Sequence, residues 1–326
     1  MQSPSSASKR FIQAILERFP GNRQAESIPL LDQKELLELQ ALASEFCWSP
    51  STHRDVAHKM SGDTRSIYLG SGMDYEESRP YQAGDDIRFM NWRLTARMGE
   101  PYMKVFREEK RPATFILVDR RSSMRFGSKK RLKVAQAARI AAYIAFSARQ
   151  RHCGVAGVLL NNKADWFDAQ NDYSGIFHFL NEAARPCSPF YEMHEEEPSL
   201  DYIIRLLQQM LVPGSDVCLV SDFNDLTENS RAALLQLSLE CNLTAVHVLD
   251  KAEIELPSAG NLHIKNKVAS GLGMVDTNDD SVISAYKNEV AAYRQSSEQL
   301  FKSLGINYLP VQADSEDISR VMVSGR

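Results

Sequence analysis

The segment VDRRSSMRFGS, residues 118–128, holds the residue types and spacing closest to a chemical site. An aliphatic run, ATFILV, leads into Asp119, and hydroxyl residues follow it. A carboxylate at the end of a buried strand, with oxygens at alternate positions of the next loop, can aim several ligands at one centre. Read as D-x-S-x-S, the pattern takes Asp119, Arg121 and Ser123. Mg²⁺ wants six oxygens in near-octahedral array and keeps several waters. A second carboxylate, Asp222 in VSDFND, ends another aliphatic run, and Ser199 before LDYIIRLL is the nearest third-loop hydroxyl. The candidate metal ligands are therefore Asp119, Ser123, Ser199 and Asp222.

Arg121 stands where the first of the two hydroxyls is expected. A guanidinium is always protonated and has no lone pair to give. Between Asp119 and Asp222 it would neutralise a carboxylate, bidentately where geometry allows. It would also repel an incoming Mg²⁺ in a crevice of reduced dielectric. The expectation is a degenerate site in which Arg121 replaces the metal by charge and no cofactor is needed. A weak residual Mg²⁺ site with Arg121 turned outward is the competing reading, and Asp119 capping its own loop is the third.

These residues need strands to place them. ATFILVD (113–119), CGVAGVLL (153–160), DVCLVSD (216–222), LTAVHVLD (243–250) and INYLPV (306–311) read as short strands covered on both faces. Between them lie helices: RLKVAQAARIAAYIAFSARQ (131–150), with Val134, Ala138, Ala141 and Ala145 on one stripe, IFHFLNEAA (176–184), LDYIIRLLQQML (200–211), NSRAALLQLSLE (229–240) and a long helix over 281–304. NNKADWF turns back as a hairpin edge. Such alternation predicts an α/β fold with a mostly parallel sheet and helices on both faces. Ligands of such sheets bind beyond the C-terminal strand ends, at a switch in strand order. Asp119 and Asp222 would both face that crevice.

Upstream, residues 8–19 and 31–46 carry helical spacing, and 60–111 mixes glycines, aromatics and charges in short runs. The division expected is a helical segment over 1–60, a small β-rich segment over 61–112 and an α/β domain over 113–326. The chain of 326 residues is 43% hydrophobic and 25% charged, with net charge −4, ordinary for a globular protein and not suggestive of nucleic acid. Five scattered cysteines without a C-x-x-C pair argue against a disulfide framework and against a thiolate zinc site. No secretory signal and no run of about 18 apolar residues is present, so a cytoplasmic protein without a membrane span is expected.

The stretch RPYQAGDDIRFMNWRLTARMGEPYMKVFREEKRP (79–112) closely resembles the hallmark of the family called domain of unknown function 58. Its pattern is met by Arg79, Tyr81, Gly84, Asp85, Asp86, Arg88, Trp92, Ala96 and Arg97, and the resemblance runs over about 62–250. Asp119, Ser123 and Asp222 on their strand order look like a von Willebrand factor A domain. The resemblance implies a von Willebrand A-like (Rossmann-like) fold, no established catalysis, and frequent pairing with MoxR-type AAA+ ATPases. Many relatives carry N-terminal membrane helices, and none is seen here.

Within the hallmark, Gly84-Asp85-Asp86 reads as a turn whose Asp side chains bond nearby N–H groups, with arginines pairing to carboxylates and Trp92 packing. A partner surface on the same residues is the other reading. KKRLK, with Lys129, Lys130, Arg131 and Lys133, forms a basic rim suited to an acidic patch on a partner. No GxxxxGK[ST] loop, HExxH, GxSxG or GxGxxG opening a helix occurs, and Asp119 lacks the D-x-D of a phosphatase. The function expected is a non-catalytic protein-binding adaptor working with a MoxR-type ATPase on a client complex. A metal-dependent hydrolase using strand-end aspartates and a purely structural subunit are the alternatives.

Overall fold

The structure, a computed structural model, describes residues 29–50, 73–82, 84–108, 112–187, 197–255, 260–265 and 272–324. The helix expected over 8–19 lies outside them. The chain forms two compact units: Met1–His53 with Pro112–Arg326, and Arg54–Arg111.

Helix α1 (Gln33–Glu45) starts where Asp32 accepts a hydrogen bond from the Glu35 N–H, and it buries Leu36, Leu39 and Ala43. The smaller unit follows. Strand β1 (Met73–Pro80) pairs antiparallel with β2 (Tyr102–Glu108), in a register that sets Arg79 opposite Met103. The expectation here is a small β-rich segment, and the structure adds a helical stretch between its strands. Within it a 3-10 turn, Ile87–Phe89, precedes helix α2 (Trp92–Met98). Local chemistry explains the helix: Asn91 caps it by accepting from Leu94 N–H, and Gly99 ends it at φ 76°, a conformation that favours glycine.

The larger unit is built on a six-stranded sheet in the order β10-β7-β6-β3-β4-β5. Its strands are β3 (Thr114–Asp119), β4 (Val155–Leu160), β5 (Ala164–Gln170), β6 (Asp216–Ser221), β7 (Asn242–Leu249) and β10 (Asn307–Gln312). All neighbours run parallel except β5, which turns back antiparallel along β4. Helix α3 (Lys133–Gln150) joins β3 to β4, α4 (Tyr173–Ala183) follows β5, and α5 (Leu200–Met210) precedes β6. Helix α6 (Glu228–Glu240) precedes β7, and α8 (Asp280–Ser303) precedes β10. The short α7 (Lys251–Ile254), the hairpin of β8 (Asn261–Lys265) with β9 (Leu272–Asp276), and the final helix α9 (Ile318–Ser324) were not anticipated. Their segments are short and weakly periodic.

Alternate residues of β3 feed opposite cores, because successive side chains leave a strand on opposite faces. Ile116 and Val118 pack with α1, α3 and α4, while Phe115 and Leu117 pack with α5, α6 and the end of α8. Helix α3 is buried all round from Lys133 to Ala148, lying between the sheet and α1. Its many alanines let both neighbours approach closely.

Strand β3 sends its crossover to β4 on one side and receives β6 on the other. The switch in strand order thus falls between β3 and β6, where the ends bearing Asp119 and Asp222 lie side by side. No helix of the described residues is long and apolar enough to cross a membrane.

Gly157 of β4 has no room for a side chain. A Cβ there would stand 2.7 Å from both the Ile116 carbonyl oxygen and the Phe179 ring. Gly157→Ala is expected to destabilise the larger unit by about 1–3 kcal/mol, read from the urea midpoint at unchanged slope.

Candidate functional site

Asp119 is wholly buried at the end of β3, and its carboxylate is fully engaged. One oxygen accepts from the Arg121 backbone N–H and from Arg121 Nε, both at 3.0 Å. The other accepts from Arg121 Nη2 and from Ser221 Oγ, both at 2.6 Å. The rest of the guanidinium turns to Asp225, with Nη1 at 2.5 Å from one oxygen and Nη2 at 2.9 Å from the other. Nη1 also donates to the Pro198 carbonyl at 3.2 Å. Arg121 is thus a buried two-ended fork, bidentate to a carboxylate at each end, the strongest geometry available to the side chain. Burial alone would lower its pKa, but Asp119 and Asp225 outweigh that and raise it.

The location of the second carboxylate in this bridge corrects the sequence reading. Arg121 spans Asp119 and Asp225, not Asp119 and Asp222. Asp222 is served by Lys133 Nζ at 2.9 Å, and the same ammonium reaches Glu253 Oε1 at 2.5 Å. Lys133 is fully buried at the start of α3, so it is no part of an exposed basic rim. Burial would lower the pKa of Lys133, but Asp222 and Glu253 reverse this. Burial likewise opposes the charge on Asp222, yet Lys133, Arg121 and a hydrogen bond from Ser123 hold its carboxyl down to about 2. Glu253 moves the other way: burial and nearby Asp222 raise it against the pull of Lys133. Its second oxygen accepts from Asp250 N–H at 2.8 Å, half of the capping box that starts α7.

Ser123 therefore reaches the site through Asp222. Ser199 stands beside it, but its hydroxyl caps α5 by accepting from Tyr202 N–H. The next residue, Leu200, donates its N–H to Asp225 at 2.9 Å. Of the basic run, Lys129 and Lys130 are exposed, Lys130 pairing with Glu316 at 3.1 Å. Arg131 lies between Glu35 and Glu316 at 3.4 and 3.5 Å. Asp225, Glu253 and Ser221 escaped sequence reasoning. Asp225 had a signal, since it ends the same VSDFND segment. Glu253 had none, because only the fold brings α7 beneath the N-terminus of α3.

His247, on β7, lies against this cluster. It meets the Asp222 backbone, its Nδ1 is 2.7 Å from the Tyr308 hydroxyl, and the rings of Phe223 and Tyr293 enclose it. Burial, helped by Lys133 and Arg294, lowers its pKa to about 3 despite the pull of Asp222. It is a neutral, buried imidazole.

In the smaller unit, Arg79 clamps Asp85 with two hydrogen bonds of 2.8 and 2.6 Å, and Asp85 also accepts from Gln82 N–H. Asp86 accepts from the Arg88 N–H and side chain, fixing the 3-10 turn. Gly84, at φ 107°, makes the bend between them. Each aspartate, placed beside an arginine, has its carboxyl lowered. Trp92 does not pack as expected: it is 65% exposed, as are Ile87 (58%) and Met98 (56%). Tyr81 is partly exposed, and Arg97 has no ion pair among the described residues.

A divalent cation does not fit the crevice. Both oxygens of Asp119 are taken, Asp222 carries an ammonium at 2.9 Å, and two fixed cations face any incoming one. Among the described residues no group of three or more His, Cys, Asp or Glu is arranged to hold a metal ion.

Comparison with known proteins gives a family. The family described as "Protein of unknown function DUF58" matches residues 77–296. Similar proteins are "Uncharacterized protein Rv1480" of Mycobacterium tuberculosis and "Uncharacterized protein Mb1516" of Mycobacterium bovis. Each is 25% identical over 275 residues, covering 82% of this chain and 84% of the relative. Among solved structures, an aerotolerance-related membrane protein from Bacteroides fragilis matches with TM-score 0.40 and 15% identity, over 66% of this chain and 96% of that one. The conserved hypothetical protein BatB from Bacteroides thetaiotaomicron matches with TM-score 0.35 and 10% identity, over 60% and 99%. With the match extending over most of its length, the chain belongs to the DUF58 family.

Two outcomes follow from the charges. Arg121→Ala strands Asp119 in the interior and is expected to lower unfolding free energy by about 3–5 kcal/mol, while millimolar Mg²⁺ leaves wild-type stability unchanged in the same denaturant titrations. For His247, the unfolded imidazole takes a proton below its ordinary 6.5, while the folded one resists to about 3. The unfolded chain then binds more protons, so stability falls as pH drops through that window, by up to about 1.4 kcal/mol per pH unit. Glu253 acts in the opposite sense above its ordinary value, so the difference between wild type and His247→Gln isolates the histidine; the variant is expected to lose that slope.

Proposed function

We propose that this family member is a non-catalytic protein-binding adaptor, carrying a von Willebrand A-like domain and working with a MoxR-type AAA+ ATPase to remodel or mature a client complex. The observation that carries the reading is the exposure of three large apolar side chains of the family-hallmark segment, Trp92, Ile87 and Met98. Large apolar side chains held in water by a rigid frame are characteristic of protein-binding surfaces. Here the frame is the Arg79–Asp85 clamp and the two capping residues, Asp86 and Asn91.

The crevice supports the non-catalytic part. Its aspartates stand at the ends of β3 and β6, where Arg121 and Lys133 already balance them. A carboxylate whose oxygens are taken by fixed donors is a poor ligand and a poor base. ATP chemistry in this reading belongs to the partner, because the chain has no phosphate-binding loop.

Trp92→Ala removes exposed surface only, so its melting temperature is expected to match wild type. Tagged wild type should co-purify an AAA+ ATPase from the native host, and the variant should lose at least nine tenths of it. Equal capture by both, or capture of no ATPase with and without nucleotide, defeats the adaptor reading.

A further inference from the structure

We propose that the turn Ser122–Arg125 is a carboxylate-binding site for an acidic side chain of a partner protein, occupied in this structure by the chain's own Glu197. Glu197 docks both oxygens on one residue: Oε1 accepts from Ser122 N–H at 2.7 Å and Oε2 from Ser122 Oγ at 2.8 Å. Beside them stands Arg125, 6% exposed. Its Nε donates to the Arg120 carbonyl at 3.0 Å, and its Nη2 lies 3.5 Å from Asn162 Oδ1 and 4.0 Å from Glu197 Oε1. Its Nη1 is buried with no hydrogen-bond partner among the described residues. A buried donor left unmade costs about 1–3 kcal/mol, more on a charged group.

Arg120, 4% exposed, donates to neutral acceptors: the Glu182 and Arg185 carbonyls and Cys187 Sγ. Among the described residues, Glu197 is the one carboxylate within ion-pair distance of either Arg120 or Arg125. Glu197 meets Arg125 at 4.0 Å, short of hydrogen-bonding distance. The chain explains the shortfall. Pro198 follows directly, its carbonyl tied to Arg121, and Leu200 N–H is tied to Asp225. Those bonds fix the backbone that follows Glu197. A glutamate or aspartate from another protein has no such tether and can take Ser122 and Arg125 together. The Glu197 side chain is 17% exposed, so the pocket opens to the surface. The kind of partner rests on the adaptor reading; the pocket itself does not.

The test uses the full chain, labelled with ¹⁵N, and the peptide Ac-Glu-Pro-Ser-Leu-NH₂, which offers the 197–200 sequence in trans, with Ac-Gln-Pro-Ser-Leu-NH₂ as its uncharged control. In Glu197→Ala the Glu peptide is expected to bind saturably, shifting the Ser122 amide, at least tenfold tighter than to wild type. The Gln peptide should not bind, and Arg125→Lys added to Glu197→Ala should weaken the Glu peptide at least tenfold. If Glu197→Ala fails to fold, Glu197→Gln serves the same comparison. Equal behaviour of the two peptides, equal affinity for wild type and variant, or saturation by inorganic phosphate alone overturns the proposal. Because these measurements need no ATPase, a failed co-purification leaves the pocket standing, and a failed titration leaves the adaptor reading standing.

Discussion

Arg121 joins two carboxylates from different loops, and the larger unit is arranged around that junction. Asp119 is covalently part of β3, the central element of the sheet by packing, and Asp225 belongs to the loop leaving β6. The guanidinium between them therefore couples the two strands that flank the switch in strand order. Buried ions are costly to desolvate, and a pair offsets that cost only with good geometry and no donor left over. Arg121 meets the condition: all of its N–H-bearing nitrogens find carboxylate oxygens, and Pro198 takes part of the remainder. The interaction is also what makes the crevice unsuited to a divalent ion.

Lys133 repeats the solution one strand over. Its ammonium, at the start of α3, binds Asp222 and Glu253, so the end of β6 is tied to the first turn of the long buried helix and to α7. Two built-in cations thus stand at the C-terminal edge of the sheet. Their pairing differs in one respect. Asp222 is held firmly ionised, whereas Glu253, sharing the same ammonium, is pushed toward its neutral form. One buried lysine cannot fully satisfy two carboxylates, and the carboxyl left with the smaller share rises.

The contrast between Arg121 and Arg125 is informative. Both lie on the same short turn and both are buried. One is saturated by carboxylates, and the other has an idle donor and a carboxylate held at 4.0 Å. A guanidinium saturated within its own chain is scaffolding. One left short of an acceptor at a partly open edge is positioned to receive something from outside.

The sequence alone determined the strand and helix succession of residues 113–250 and 281–312, because aliphatic runs and helical spacing are local signals that tertiary contacts here reinforce. It also determined that an arginine occupies the metal-ligand pattern, since that is read from position and residue type. It did not reveal helix α2, whose cap and stop, Asn91 and Gly99, lie in a stretch too short for periodicity to show. Nor did it reveal which carboxylate each cation serves. Asp222 and Asp225 are three residues apart and look equivalent in the chain, yet the loop after β6 sends one toward Lys133 and the other toward Arg121. Lys133 reads as one more charge in a basic run, and only the packing of α3 against the sheet buries it and obliges it to find Asp222 and Glu253. Ion pairing in an interior depends on burial and on contacts between residues about a hundred positions apart, and neither is encoded in local spacing.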